Sequence, residues 1–147
     1  MRQAGFTLIE LLVVIAIMGL LLAVAVPGHF GSEGLELRAA ARAIADGLQR
    51  TRSLAVVSGS ETMFVVDVVN RSFMTPGDPA PSVLPPHARL SLSTVRGAVA
   101  GAEVGGIRFF PDGGSTGGGV MLGGLGEQGY RISVSWLTGR VEVSDAP

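Results

Sequence analysis

The sequence predicts an α+β fold, a long amino-terminal helix packed on an antiparallel β-sheet domain, from three observations. Leu11–Val26 is an uncharged apolar run headed by a single carboxylate, Glu10. Leu37, Ala41, Ile44, Leu48 and Ala55 then recur at helical spacing. Beyond Gly59 the period shortens to two: Phe64, Val66 and Val68, then Leu90 and Leu92, then Tyr130, Ile132, Val134 and Trp136 alternate with residues of the opposite face.

The first segment is long enough to cross a bilayer. Phe6–Val26 counts 21 residues, roughly 31 Å of helix at about 1.5 Å per residue, against about 30 Å of hydrocarbon. Fourteen of them are Phe, Leu, Ile or Val, each favouring insertion by roughly 0.3–0.6 kcal/mol, whereas one acid near mid-bilayer opposes it by roughly 2.5–3.5 kcal/mol. Insertion therefore wins with Glu10 present, and a carboxylate in such a place needs a cationic partner. The run supplies none, because Arg2 is the only basic residue before Arg38. A cut after Gly5 would create one: Phe6 would carry a new α-amino group able to meet Glu10 of a neighbouring copy in a helical bundle. Two plainer readings exist. Thr7-Leu8-Ile9-Glu10 fits a capping box, and Ala23-Val24-Ala25 resembles a signal-peptidase site, although the 16 residues from Leu11 exceed the usual apolar core of about 7–15.

Gly5 followed by Phe6-Thr7-Leu8-Ile9-Glu10 and an apolar helix resembles the amino-terminal signal shared by type IV pilins and the pseudopilins of type II secretion. The resemblance implies a prepilin peptidase cut between Gly5 and Phe6, N-methylation of Phe6, an assembly carboxylate at Glu10 and a helix kink at Pro27. Ala4 stands where such leaders often carry a basic residue. Residues 1–5 are then a leader peptide, 6–26 a transmembrane segment, 27–59 the periplasmic amphipathic part of the helix, and 60–147 the antiparallel β domain. Arg2 before the span, with Glu33 and Glu36 after it, favours the start on the cytoplasmic side; the resemblance then implies a single span of a bacterial inner membrane with the domain in the periplasm.

Pro27-Gly28 ends or kinks the first helix, and Gly59 stops the second. Arg38, Arg42, Arg50 and Arg52 fall mainly off the apolar stripe and read as a solvated face. Asn70-Arg71 and Thr138-Gly139 suit hairpin turns, and the five prolines of Pro76–Pro86 mark a loop. Phe109-Phe110-Pro111-Asp112-Gly113-Gly114-Ser115-Thr116-Gly117-Gly118, with Tyr130–Trp136 and Leu137-Thr138-Gly139-Arg140-Val141, is similar to the carboxy-terminal signature of the GspH/FimT family of minor pseudopilins and minor pilins. Asp112 and its glycines suit tight turns rather than a ligand site.

Composition excludes several chemistries. The chain has no Cys and no Lys, so disulfides, thiolate metal sites and lysine-dependent mechanisms drop out. Net charge is −1, and loss of Met1–Gly5 makes it −2, which advertises no polyanionic partner. Gly124-Leu125-Gly126-Glu127-Gln128-Gly129 matches G-x-G-x-x-G but precedes a strand, where a dinucleotide site needs a helix. His29, His87 and the acids Asp67, Asp78, Glu103 and Asp112 form no spacing that favours catalysis or metal binding. No catalytic, cofactor or metal residues are assigned. The resemblance implies a non-enzymatic structural subunit of the type II secretion pseudopilus, with prepilin peptidase, other major and minor pseudopilins, inner-membrane lipid and exported proteins as partners. The alternative is a FimT-like minor pilin of a type IV pilus that binds DNA, but the end Val143-Ser144-Asp145-Ala146-Pro147 offers no basic tail.

Overall fold

The computed structural model describes residues 7–25, 32–93, 103–124 and 129–146. Helix α1 runs Leu8–Ala25 and helix α2 Ser32–Ser58; strands are β1 Thr62–Asp67, β2 Ser72–Met74, β3 Ser82–Val83, β4 Arg89–Ser93, β5 Val104–Phe109, β6 Gly118–Gly123, β7 Gly129–Val134 and β8 Val141–Ala146. The chain divides into two units, Met1–Gly31 and Ser32–Pro147. Gly5, Phe6 and Pro27 lie outside the described residues.

The first unit contains α1, whose residues from Leu8 to Leu20 are all exposed. Among the described residues no helix is long and apolar enough to cross a membrane. With 18 residues α1 extends about 27 Å, short of the roughly 30 Å of hydrocarbon, and the expected span has both its ends, Phe6 and Val26, outside the described residues.

The second unit is built on α2. The predicted stripe is buried: Leu37, Ala41, Ile44, Leu48 and Ala55 all face inward, joined by Ala40, Ala45 and Thr51. Arg38, Arg42, Arg50 and Arg52 are exposed, which keeps their charges in water. Gly59, at φ 62°, ends α2 as a left-handed cap that a side chain would disfavour. The β domain is two antiparallel four-stranded sheets, in the orders β3-β2-β1-β5 and β4-β6-β7-β8. Helix α2 packs on β1 and β5 of the first and on β6, β7 and β8 of the second. Register explains the alternation: Phe64 pairs with Ile107, and Val120 with Ile132, so each buried pair presents one apolar face to α2. Burying such side chains contributes roughly 1.5–3 kcal/mol each.

Gly47 sets how closely α2 approaches the first sheet. A Cβ there would lie 2.7 Å from Phe64 Cε2 and 3.0 Å from Thr75 Oγ1, and Phe64 stacks on Phe73 with centroids 5.4 Å apart. The helix is tied at its far end by the Thr62 hydroxyl, which donates to the Thr51 carbonyl at 2.9 Å.

The turn between β1 and β2 contains the predicted Asn70-Arg71. Asp67 accepts the Asn70 N–H and the Asn70 side-chain amide, both at 2.8 Å, which lets Arg71 take φ 48°. The Pro76–Pro86 loop includes the two-residue strand β3, and β7 stops at Val134, short of the expected Trp136.

Gly47→Ala is expected to destabilise the domain. Overpacking against Phe64 costs about 1–3 kcal/mol, more than the roughly 1 kcal/mol of helix propensity gained; a lower urea midpoint checks it. The Asn70 backbone N–H, then its side-chain amide, hold the Asp67 carboxyl below its ordinary value. A depressed native pKa contributes stability that is present above about pH 4 and lost as pH falls below it. Asp67→Ala should therefore flatten that part of the acid-unfolding curve.

Candidate assembly surface

The residues predicted to act in assembly lie at the head of α1. Glu10 N–H donates to the Thr7 carbonyl at 3.0 Å and Leu11 N–H to the same oxygen at 3.3 Å, so the first turn closes through the backbone. The Glu10 carboxylate is exposed and without a hydrogen-bond or ion-pair partner among the described residues. It stands alone on a helix that is apolar on every face. In water such a helix is unfavourable on all sides; covered by lipid or by other helices, it leaves one uncompensated charge.

The signature glycines meet beside the carboxy-terminal part of α2. Phe110–Thr116 and Ser135–Arg140 are two turns fastened together: Ser115 N–H donates to the Trp136 carbonyl at 2.9 Å, and Ser115 Oγ donates to the Ser135 carbonyl at 3.0 Å while accepting Gly117 N–H at 3.0 Å. Asp112 Oδ1 accepts Gly114 N–H at 2.9 Å, so this acid shapes a turn. Arg52 reaches across from α2, its Nε donating to the Gly113 carbonyl at 3.0 Å. Gly139, at φ 61°, is required here twice over, because a Cβ would land on the Gly113 carbonyl and crowd Arg52.

The other candidates are dispersed. Asp78 pairs with Arg50 at 3.4 Å, and Asp67 caps its own turn. His87 Nε2 lies 3.9 Å from Glu36 Oε2, with no hydrogen-bond partner. His29 and Leu125–Gln128 of the glycine motif lie outside the described residues. Sequence reading missed Arg52 as the link between the two turns, since its contacts lie 61 residues away; an arginine near the buried stripe was the only local signal.

The comparisons with known proteins agree with this arrangement. Residues 1–26 match the prokaryotic N-terminal methylation motif, and residues 40–139 match the family described as Type II transport protein GspH. The chain belongs to the GspH family. It is 36% identical over 140 residues to the type II secretion system protein H of Xanthomonas campestris pv. campestris, covering 93% of this chain and 80% of that one. The fold is shared with the minor pseudopilin EpsH of the Vibrio cholerae type 2 secretion system, at TM-score 0.57 and 14% identity over 74% of this chain and 96% of that one. It is also shared with the type IV minor pilin FimU of Pseudomonas aeruginosa, at TM-score 0.54 and 17% identity over 77% and 91%. The GspH match covers both fastened turns up to Gly139 and α2 from Ala40, so the family region lies within the packed unit and takes in most of it. Together with the 36% identical type II secretion relative, it supports type II secretion over the pilus alternative.

Arg52→Ala should cost about 1–2 kcal/mol, a charged donor lost from a partly buried carbonyl. Faster hydrogen exchange at Gly139 N–H, which donates to the Ser135 carbonyl at 2.8 Å, would localise the loss to the two turns. Arg52→Lys should not restore protection, because an ammonium lacks the planar guanidinium whose Nε donates to Gly113 while packing beside Gly139.

Proposed function

We propose that this GspH-family chain is a minor pseudopilin, a structural subunit that enters the type II secretion pseudopilus through its amino-terminal helix. The observation that carries the reading is the exposed Glu10, without a partner among the described residues, at the head of an otherwise apolar α1. Prepilin peptidase removes residues 1–5 between Gly5 and Phe6, and Phe6 is methylated. Residues 6–26 hold the subunit in the bacterial inner membrane, amino terminus cytoplasmic and sheet domain periplasmic, until assembly. Glu10 then pairs with the Phe6 amino group of a neighbouring pseudopilin, and Pro27 bends the helix where it leaves the bilayer. The sheet domain faces other major and minor pseudopilins and exported proteins. The match of residues 1–26 to the methylation motif supports the processing step. No step of this function needs catalysis.

The decisive variant separates anchoring from assembly. Glu10→Val removes an opposing contribution of roughly 2.5–3.5 kcal/mol to insertion, so membrane retention should persist while co-purification with the other pseudopilins is lost. Retained co-purification would overturn the pairing. Intact mass after co-expression with prepilin peptidase should show loss of Met1–Gly5 and gain of one methyl group; a product beginning at Val26 would instead mark signal-peptidase cleavage.

A further inference from the structure

Strand β8 ends the second sheet, in the order β4-β6-β7-β8, and its outer edge meets no other strand among the described residues. Ser135 N–H donates to the Arg140 carbonyl at 2.9 Å, and the antiparallel register runs on from there as Val134 with Val141, Ser133 with Glu142 and Ile132 with Val143. Backbone groups alternate in direction along such a strand, so Glu142, Ser144 and Ala146 bond to β7. The N–H and C=O groups of Val141, Val143 and Asp145 point the other way, and none has a hydrogen-bond partner among the described residues. Two of the other three sheet edges are blunted. Strand β3 has only two residues, and on β5 the Arg108 carbonyl accepts Thr116 N–H at 2.9 Å while Arg108 N–H donates to Thr116 Oγ1 at 3.2 Å. Strand β8 has six residues in unbroken register, without the proline, lysine or bulge that keeps an edge from pairing. Of its two acids, Glu142 is met by Arg140 at 3.4 Å, and Asp145 stands near the far end.

A groove of about 690 Å³ lies beside this edge, between α2 and β8, with Ala41, Ala45, Tyr130 and Val143 in its lining. Val143 and Asp145 enter it on the strand face that carries their β7 partners Ile132 and Tyr130. Its charged residues balance, Arg38 and Arg42 against Asp46 and Asp145, so it selects neither an acidic nor a basic partner. Val143 remains 46% exposed. The surface suits an extended segment whose backbone meets the free groups of β8 while alternate side chains turn toward Val143.

We propose that an extended segment of a different pseudopilin adds to β8 as a fifth strand of the second sheet, with an uncharged apolar side chain over Val143. This rests on the assembly role proposed above. A few backbone hydrogen bonds little more than offset the ordering of an added segment, so the contact is weak between free molecules and holds between subunits kept side by side, where effective concentration is high. Filament neighbours meet that condition. The contact joins unlike chains, and one added strand fills the edge, so it does not propagate.

The test follows hydrogen exchange at single residues in the full chain, extracted from membranes either alone or after co-expression with the other pseudopilins of its system. With the pseudopilins present, the amides of Val141, Val143 and Asp145 should exchange about tenfold or more slowly than in the lone chain, interleaved with Glu142 and Ser144, which β7 already protects. Val143→Pro removes one outward N–H and no bond to β7, and should return Val141 and Asp145 to their lone-chain rates; protection kept at Glu142 and Ser144 shows that the strand is still folded. Val143→Lys leaves the backbone whole, places a charge where the added strand needs an apolar neighbour, and should do the same. Pseudopilins that co-purify while the three amides exchange as in the lone chain would overturn this contact and leave the assembly role standing, whereas no co-purification at all would remove both. Slowing that the lone chain already shows at raised concentration, or that survives both variants, would also overturn it.

Discussion

The close seat of α2 on the two sheets is the constraint on which the rest of the domain depends. Gly47 lets the helix approach Phe64 and Phe73 without an intervening Cβ, and the stripe from Leu37 to Ala55 then covers both apolar sheet faces at once. A helix that ties two sheets also fixes what hangs from their ends. Arg52 contacts the Phe110–Thr116 and Ser135–Arg140 turns only because α2 is held at that depth. The exposed Trp136 is therefore presented by a chain of contacts that begins at a buried glycine.

The first unit obeys a different rule. Helix α1 carries no polar face to direct its packing, and apolar burial is non-directional. Its surroundings can stabilise it without deciding its register. One carboxylate changes that, because a charge in a low-dielectric setting is tolerated only where a counter-charge comes within a few ångströms. In the proposed filament Glu10 thus supplies position where the apolar residues supply affinity.

Much of this was legible in the sequence, where local periodicity carries the information. Leu37, Ala41, Ile44, Leu48 and Ala55 are all buried, Gly59 has the left-handed φ of a helix stop, and both predicted hairpin turns occur. Strands β5 and β6 were harder to read because Gly105, Gly106, Gly118 and Gly119 replace the side chains that would mark alternation. Glycine serves there for close approach: a Cβ at Gly119 would sit 2.9 Å from the Ile132 carbonyl. The division into two sheets was likewise hidden, since pairing partners such as Phe64 and Ile107 are far apart in sequence. Trp136 continued the alternation of β7 on paper, but the turn fastened to Ser115 ends the strand two residues earlier and turns the indole outward. The cost of Glu10 was legible because a charge in an apolar run is read from composition alone; its part in assembly belongs to the proposal.

Divided in this way, the molecule separates two demands that compete in any filament subunit. A helix that must share an apolar bundle with several neighbours cannot be shaped for one of them, so recognition has to come from groups whose geometry is fixed elsewhere. The second unit has groups of that kind in its rigid turns. Gly113 and Gly139, both at positive φ, close their turns through backbone hydrogen bonds, and Ser115 Oγ, accepting Gly117 N–H, and Arg52 Nε, donating to the Gly113 carbonyl, fasten the tip further. Ordering costs are then met when the domain folds, before any partner arrives, and little conformational freedom remains to be lost on contact. The glycine-rich signature, which reads as tight turns in the sequence, is in this fold the means of keeping an exposed surface in one shape.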